Sequence, residues 1–360
     1  MKKNVLIVGT GTIGEPLIGL LSDFKNKLEI NVFFHKRTPL IDEVAKVNSL
    51  INRGAKLVVD SEKVAAFQAL GHEPVLEYDA ALTLSDVVID CTPAGNDAKE
   101  KHYLPLLDER YCATKNKKRT FIAQGSEKGF GTPYAYGIND KVLIKEKPQF
   151  IQIVSCNTHN ISSLIKTICP TITDLHYGDF TCIRRANDIS QNGSFIASPE
   201  VGNHNHQSYG THHAKDAQAL FATMFEHPNV FSSALKVNTQ YMHIIRFSMH
   251  IRKYATENDI LAKFKDNKFI ALTHKSLANK VFSFGRDHGY YGRIFNHTVV
   301  SVPSLHLGRN NGKTVISGFC FTPQDGNSLL SSVAAALHAI HGKKYKKYMT
   351  NFDNYLFSDI

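Results

Sequence analysis

Asn4 to Val8 is apolar after its first residue, the uninterrupted run a strand needs when both faces of a parallel sheet are covered. Gly14 to Leu21 then carries a helical pattern, Ile30 to Phe34 is a second apolar run, and Asp86 to Ile89 and Arg119 to Ala123 are two further short strands. Helical spacing fills Ile41 to Asn52 and Glu62 to Leu70. Strand alternating with helix predicts right-handed βαβ units, and hence a doubly wound, Rossmann-type α/β nucleotide-binding domain over residues 1–155.

Beyond Cys156 the pattern changes. Ile161 to Ile168 reads as helix, whereas Tyr177 to Arg185, Lys236 to Ile251, Phe269 to Leu272 and Thr298 to Leu307 are strand-like and joined by polar loops. This predicts an α+β catalytic and oligomerisation domain with a largely antiparallel sheet over residues 156–320. Asp188 to His213, rich in Asn, Ser, Gly and His, is too long for an ordinary connection and points to a functional loop. The last strong helix, Asn327 to His341, lies in a C-terminal stretch, about 321–360, expected to pack back on the first domain.

Composition narrows the class. Apolar residues are 42% and charged residues 21% of the 360, and no run approaches the roughly 20 apolar residues of a membrane span, so a soluble protein is expected. The six cysteines share no short spacing, which argues against a disulfide framework or zinc knuckle and for a reducing cytoplasm. The net charge is +10, with basic runs at Lys115 to Arg119 and Lys343 to Lys347. These read first as solvated surface, next as a match to phosphorylated small molecules, and not as specific nucleic-acid contact.

Two segments carry chemistry. Gly9-Thr10-Gly11-Thr12-Ile13-Gly14 fits G-x-G-x-x-G between the first strand and first helix, where Gly9 allows the tight turn, Gly11 the approach of a pyrophosphate and Gly14 close helix–strand packing. NAD would favour an acid at the end of the second strand. The chain has His35-Lys36-Arg37-Thr38 there, so Lys36, Arg37 and Thr38 are expected to hold the 2′-phosphate of NADP, with NAD the less favoured cofactor. In the second segment, Phe150 to Val154 leads into Ser155-Cys156-Asn157-Thr158-His159-Asn160 and a helix. A helix N-terminus lowers a thiol pKa and supplies amides for an oxyanion. On position alone, an inert core cysteine is the competing reading. His204, His206, His212 and His213 share no regular face and have no carboxylate cluster with them, so no metal is expected.

Ser-Cys-Asn-Thr after an apolar strand, together with the N-terminal G-x-G-T-I-G, resembles the archaeal (type II) glyceraldehyde-3-phosphate dehydrogenases. Further matches follow in order. Gln124-Gly125-Ser126-Glu127-Lys128 resembles the family's Q-G-G-E-K, Arg184-Arg185-Ala186 its R-R-A, and Thr211-His212-His213 its His pair. Met242-His243, Gly285-Arg286-Asp287 and Gln324 match its M-H, G-R-D and late glutamine.

The resemblance implies Cys156 as nucleophile and His243 as general base, the latter with a pKa near neutral. It places Ser155 and Asn157 beside the substrate and His212 and His213 in substrate or phosphate contact. Thr12, Ile13, Gly125, Ser126, Arg185 and Gln324 would line the cofactor. It further implies a homotetramer and reversible, phosphorylating oxidation of D-glyceraldehyde 3-phosphate with inorganic phosphate, as in glycolysis and gluconeogenesis. His159, Ala214 and Lys215 depart from the family pattern where the acyl acceptor would sit. Another thioester-forming semialdehyde dehydrogenase, an acyl-CoA reductase, or a silent nucleotide-binding protein therefore stay as alternatives.

Overall fold

Two sheets organise the chain, one in each of two units defined by their internal contacts. The computed structural model describes residues 2–107, 118–125, 127–187, 193, 195–323 and 325–360; the expected cofactor residues Ser126 and Gln324 lie outside them. Residues 1–134, 141–153 and 331–351 form the first unit, and residues 135–140, 154–330 and 352–360 the second.

The first sheet contains β1 (Lys3–Val8), β2 (Ile30–His35), β3 (Lys56–Val59), β4 (Leu76–Glu77), β5 (Val87–Asp90), β6 (Thr120–Ala123), β7 (Thr132–Tyr134) and β8 (Phe150–Ile153). Their order is β4-β3-β2-β1-β5-β6-β8-β7 and every pairing is parallel. The sequence reversal from β1 leftward to β2 and rightward to β5 is the crevice where open α/β sheets bind ligands. Continuous burial explains why these strands are apolar on both faces: Val5, Leu6 and Ile7 of β1 and all four residues of β5 are inaccessible to solvent or nearly so. The helix Gly14–Phe24 buries eight residues, from Gly14 and Pro16 to Ser22.

The second sheet contains β9 (Leu175–Arg184), β10 (Glu200–Val201), β11 (Val230–Lys236), β12 (His243–Ile251), β13 (Ile270–Thr273), β14 (Thr298–Ser301), β15 (His306–Asn310) and β16 (Lys313–Thr322). The order is β10-β11-β9-β12-β16-β14-β13, with β15 on β16; β11–β9 and β13–β14 are parallel and the rest antiparallel. The mixed, mainly antiparallel sheet agrees with the fold class expected from the sequence. Helices Cys156–Ile168 and His212–Ala222 cover it through Ile161, Leu164, Ile165, Ala217 and Phe221.

Two expected elements divide. The strand-like stretch from Lys236 to Ile251 is broken after Lys236, because Tyr241 takes φ 83° in the left-handed region and turns the chain before His243 opens β12. Thr298 to Leu307 breaks at Pro303 in the short turn Val302–Ser304. His212 and His213, expected in a long loop, instead open the helix His212–Ala222.

Candidate functional sites

In the first unit the glycines of the phosphate loop have separate jobs. Gly9 has φ 94°, a conformation that disfavours any side chain. A Cβ on Gly14 would lie 2.1 Å from the Gly9 carbonyl oxygen, so the helix can pack this tightly on the loop only with glycine there. A Cβ on Gly11 would meet nothing within 4 Å, and this open backbone is what a pyrophosphate needs. Thr12 and Ile13 complete the turn, with Ile13 at the helix N-cap.

The loop borders a cavity of about 600 Å³ that also includes Lys36, Arg37, Thr38, Tyr78 and Lys101. His35 anchors its wall: Nε2 is 3.1 Å from Asp60 Oδ1, and the ring stacks on Tyr78 at 4.2 Å. Asp90 fixes the opposite edge by accepting from the Thr92 amide at 2.9 Å, Thr92 Oγ1 at 2.7 Å and Tyr103 OH at 2.6 Å. The three expected phosphate-holding residues are not equivalent. Lys36 is buried and ion-paired with Glu43, which also pairs with Lys46, whereas Arg37 and Thr38 are exposed. Gly125 follows β6 and accepts from Gln152 Nε2 at 3.4 Å. The donor set and open glycine backbone fit the adenosine and pyrophosphate portion of a dinucleotide.

In the second unit Cys156 is the first residue of its helix. Ser155 is the N-cap, accepting from the Thr158 amide at 3.3 Å and lying 2.8 Å from Thr158 Oγ1. Amides of a first helical turn have no carbonyl within the helix, so the positive end of the dipole meets the Cys156 thiol. Cys156 is partly exposed, as is Cys91 in the first unit, while Cys169, Cys182 and Cys320 are buried. Burial pushes the Cys169 thiol up to about 12 and Cys320 to about 11, and raises Cys182 and Cys91 as well. Asn157, the next residue, is buried, and its Oδ1 has no hydrogen-bond partner among the described residues.

His243 belongs to the same end of this sheet. Asn160, one turn along the Cys156 helix, donates to Thr322 Oγ1 at 2.8 Å, and Thr322 is the ladder partner of His243. Cys320 Sγ donates to Asn160 Oδ1 at 3.3 Å, which completes the clamp between helix and β16. The backbone N–H of Arg185 donates to His243 Nδ1 at 3.1 Å. A neutral ring with Nδ1 accepting carries its hydrogen on Nε2. Burial, followed by the charges of Arg185 and Arg184, depresses the His243 pKa to about 3. The near-neutral value expected from the sequence is not met, because the ring is desolvated beside two guanidinium groups. Arg185 itself is buried at the exit of β9, where its Nε donates to Asn187 O at 3.0 Å.

His212 and His213 have rings 4.0 Å apart at the start of their helix, after Thr211, which bonds Ser232 at 2.7 Å. Among the described residues no group of three or more His, Cys, Asp or Glu is placed to hold a metal.

Sequence reading missed a buried layer around Cys156. Asn327 Nδ2 donates to the carbonyls of Cys156 at 3.2 Å and His297 at 3.3 Å. His159 Nδ1 lies 3.0 Å from Ser155 O, its ring 5.3 Å from His297, and His297 stacks on Phe269 at 4.6 Å. Neither ring nitrogen of His297 has a hydrogen-bond partner among the described residues. Burial lowers the His159 pKa to about 4 and takes His297 well below its ordinary value, with His159 adding to the latter shift.

The folded chain therefore binds fewer protons than the unfolded chain below pH 6.5. Stability is full above that value and falls as the pH approaches the folded pKa, by up to about 3 kcal/mol for His159 alone. His297→Phe is expected to change stability at pH 7 by no more than about 1 kcal/mol. It should also move the acid-unfolding midpoint, followed by circular dichroism, to lower pH. An unchanged midpoint would assign acid sensitivity elsewhere.

No protein-family model matches the chain. It is similar to curated glyceraldehyde-3-phosphate dehydrogenases. With that of Picrophilus torridus it shares 26% identity over 275 residues, 75% of this chain and 72% of the relative. The Sulfolobus acidocaldarius enzyme is 25% identical over 324 residues, 86% of this chain and 85% of its own length. Glyceraldehyde-3-phosphate dehydrogenase 1 of Methanosarcina acetivorans is 25% identical over 295 residues, 79% of each. The resemblance seen in the motifs thus extends over most of the chain.

Proposed function

We propose that this chain is an NAD(P)-dependent, phosphorylating aldehyde dehydrogenase acting reversibly on D-glyceraldehyde 3-phosphate, with 1,3-bisphosphoglycerate as the oxidised product, in the cytoplasm and as a homotetramer. The observation that carries the reading is the partly exposed Cys156 at a capped helix start, in the unit where Cys169, Cys182 and Cys320 are buried. Similarity to glyceraldehyde-3-phosphate dehydrogenases over most of the chain supports the substrate.

The Cys156 thiolate adds to the aldehyde carbonyl to form a thiohemiacetal. Helix-start amides stabilise the oxygen that gains charge. Asn157 Oδ1 is an acceptor for a substrate hydroxyl, and Ser155 holds the turn. His243 presents Nε2–H as a hydrogen-bond donor to the oxygen that gains charge, without giving up its proton; accepting a proton from that oxygen at Nε2 would require the tautomer with hydrogen on Nδ1, and hence release of the Arg185 amide. Bound nicotinamide supplies the hydride acceptor. The Cys156 thioester is then cleaved by phosphate, with His212 and His213 as the contacts for anionic groups.

NADP is the favoured cofactor, and Arg37 rather than Lys36 is its selecting cation, because the Lys36 charge is committed to Glu43. Arg37→Ala should raise KM for NADP by about tenfold or more while moving KM for NAD by less than about threefold, read from initial rates. Equal effects on both cofactors would remove Arg37 from phosphate recognition.

The direct test assays the purified protein with glyceraldehyde 3-phosphate, phosphate and either cofactor, and separately with an acyl-CoA and NADPH. Turnover confined to the acyl-CoA reaction would overturn the phosphorylating assignment and retain the thioester.

A further inference from the structure

The basic runs at Lys115 to Arg119 and Lys343 to Lys347 have no part in the chemistry above. In the first unit, Lys118 from one run and Lys343 from the other line a single cavity of about 290 Å³. Lys147 is the third cation at this cavity and His338 the fourth basic group. Leu143, Ile144 and Ile151 supply an apolar lining, and no acidic residue lines the cavity among the described residues. None of the three lysines has an ion pair or side-chain hydrogen bond among the described residues.

Three ammonium groups with no counter-charge among the described residues, around one small cavity, create a positive potential that an anion relieves. His338 registers that field: burial first, then the Lys118 charge, hold its pKa below the ordinary value. The wall at Lys147 is preset, with φ 46° followed by Pro148, whose ring fixes its own φ. The volume sits at the lower end of ligand pockets, suited to one ring system and too small for a dinucleotide.

We propose that this cavity binds a small organic phosphate monoester, its phosphate held by Lys118, Lys147 and Lys343 and its apolar body seated on Leu143, Ile144 and Ile151. The site is separate in its residues from the cavity beside the glycine loop. An apolar body without charge leaves the lysines unpaired, and a bare anion leaves the apolar lining wet. Both parts of the ligand are therefore needed.

The test is calorimetric titration of the full chain with 1-naphthyl phosphate in the presence of saturating NADP. Saturable binding of one molecule per chain is expected, with Kd below about 1 mM. The Lys118→Glu/Lys343→Glu variant, checked for an unchanged melting temperature, should bind at least about tenfold more weakly, since both positions are exposed and only the potential changes. 1-Naphthol and inorganic phosphate should each bind at least about tenfold more weakly than the ester. Absence of saturable heat, undiminished binding by the charge-reversed variant, or binding of an RNA oligomer with none of the ester would each overturn the proposal.

Discussion

Cys156→Ser is expected to lower kcat for aldehyde oxidation by about 10⁴-fold or more, with cofactor affinity changed by less than about twofold. Serine keeps the size and polarity of the position, and the N-cap at Ser155 does not depend on the sulfur. The hydroxyl, however, is not ionised near neutral pH and has no adjacent base to activate it, because the ring of His243 already accepts the Arg185 amide at Nδ1. The fold should therefore survive while the chemistry stops. Stopped-flow mixing with aldehyde and NADP reads the same point directly: the parent chain should show a burst of reduced cofactor followed by phosphate-dependent turnover, and the serine variant no burst. A variant keeping more than about one hundredth of the activity would mean that the thioester route is wrong.

A labelling experiment supports the same residue from the unmodified protein. Iodoacetamide near neutral pH should modify Cys156 ahead of Cys169, Cys182 and Cys320, whose thiols are held in the neutral form by burial. Peptide mapping gives the order, and modification of any of these three first would contradict it.

The parts of the chain legible in the sequence are those set by local physics. A continuous apolar run followed by three spaced glycines specifies β1, its turn and the helix Gly14–Phe24, because strand, turn and helix start are neighbours in sequence. Ser155-Cys156 after β8 was readable for the same reason. β16 was not, although it forms the widest pairing with β12: its buried face alternates Thr314, Ile316, Gly318 and Cys320, so small and polar residues hide the period of two. In β11, Val230, Ser232 and Ala234 do the same. Ser232 is buried to accept the Ala214 amide at 2.9 Å, a role only the folded neighbourhood discloses.

The layer around Cys156 was illegible for a further reason. Asn327 and Cys156 are 171 positions apart, and no local pattern marks an asparagine whose purpose is to bridge two distant carbonyls. Gly326 beside it is equally contextual, since a Cβ there would stand 1.9 Å from Ile294 O. The depressed pKa values of His159, His243 and His297 likewise come from burial, which sequence spacing does not measure.

His243 gives the second large effect, and its geometry distinguishes two kinds of cysteine–histidine chemistry. In a thiolate–imidazolium pair the histidine is charged at rest and the thiol loses its reactivity when the ring is removed. Here the ring is neutral down to about pH 3, and burial with Arg185 and Arg184 disfavours the imidazolium. Above that value protonation is already lost, so kcat/KM between pH 5 and 9 should show no limb from His243 and should follow the ionisation of the thiol instead. His243→Asn removes the Nε2–H proposed to meet the reacting oxygen and is expected to lower kcat by about 10²- to 10³-fold. The pH midpoint should stay in place, and the rate of Cys156 alkylation should remain within about threefold of the parent, because the helix terminus and not the ring favours the thiolate. If alkylation instead slows by about a hundredfold and a limb near pH 6 to 7 disappears, the resting site is an ion pair and the neutral-donor role is wrong. The two measurements separate activation of the sulfur from handling of the oxygen, and the Arg185 amide on Nδ1 supports the proposed role of His243 at the oxygen.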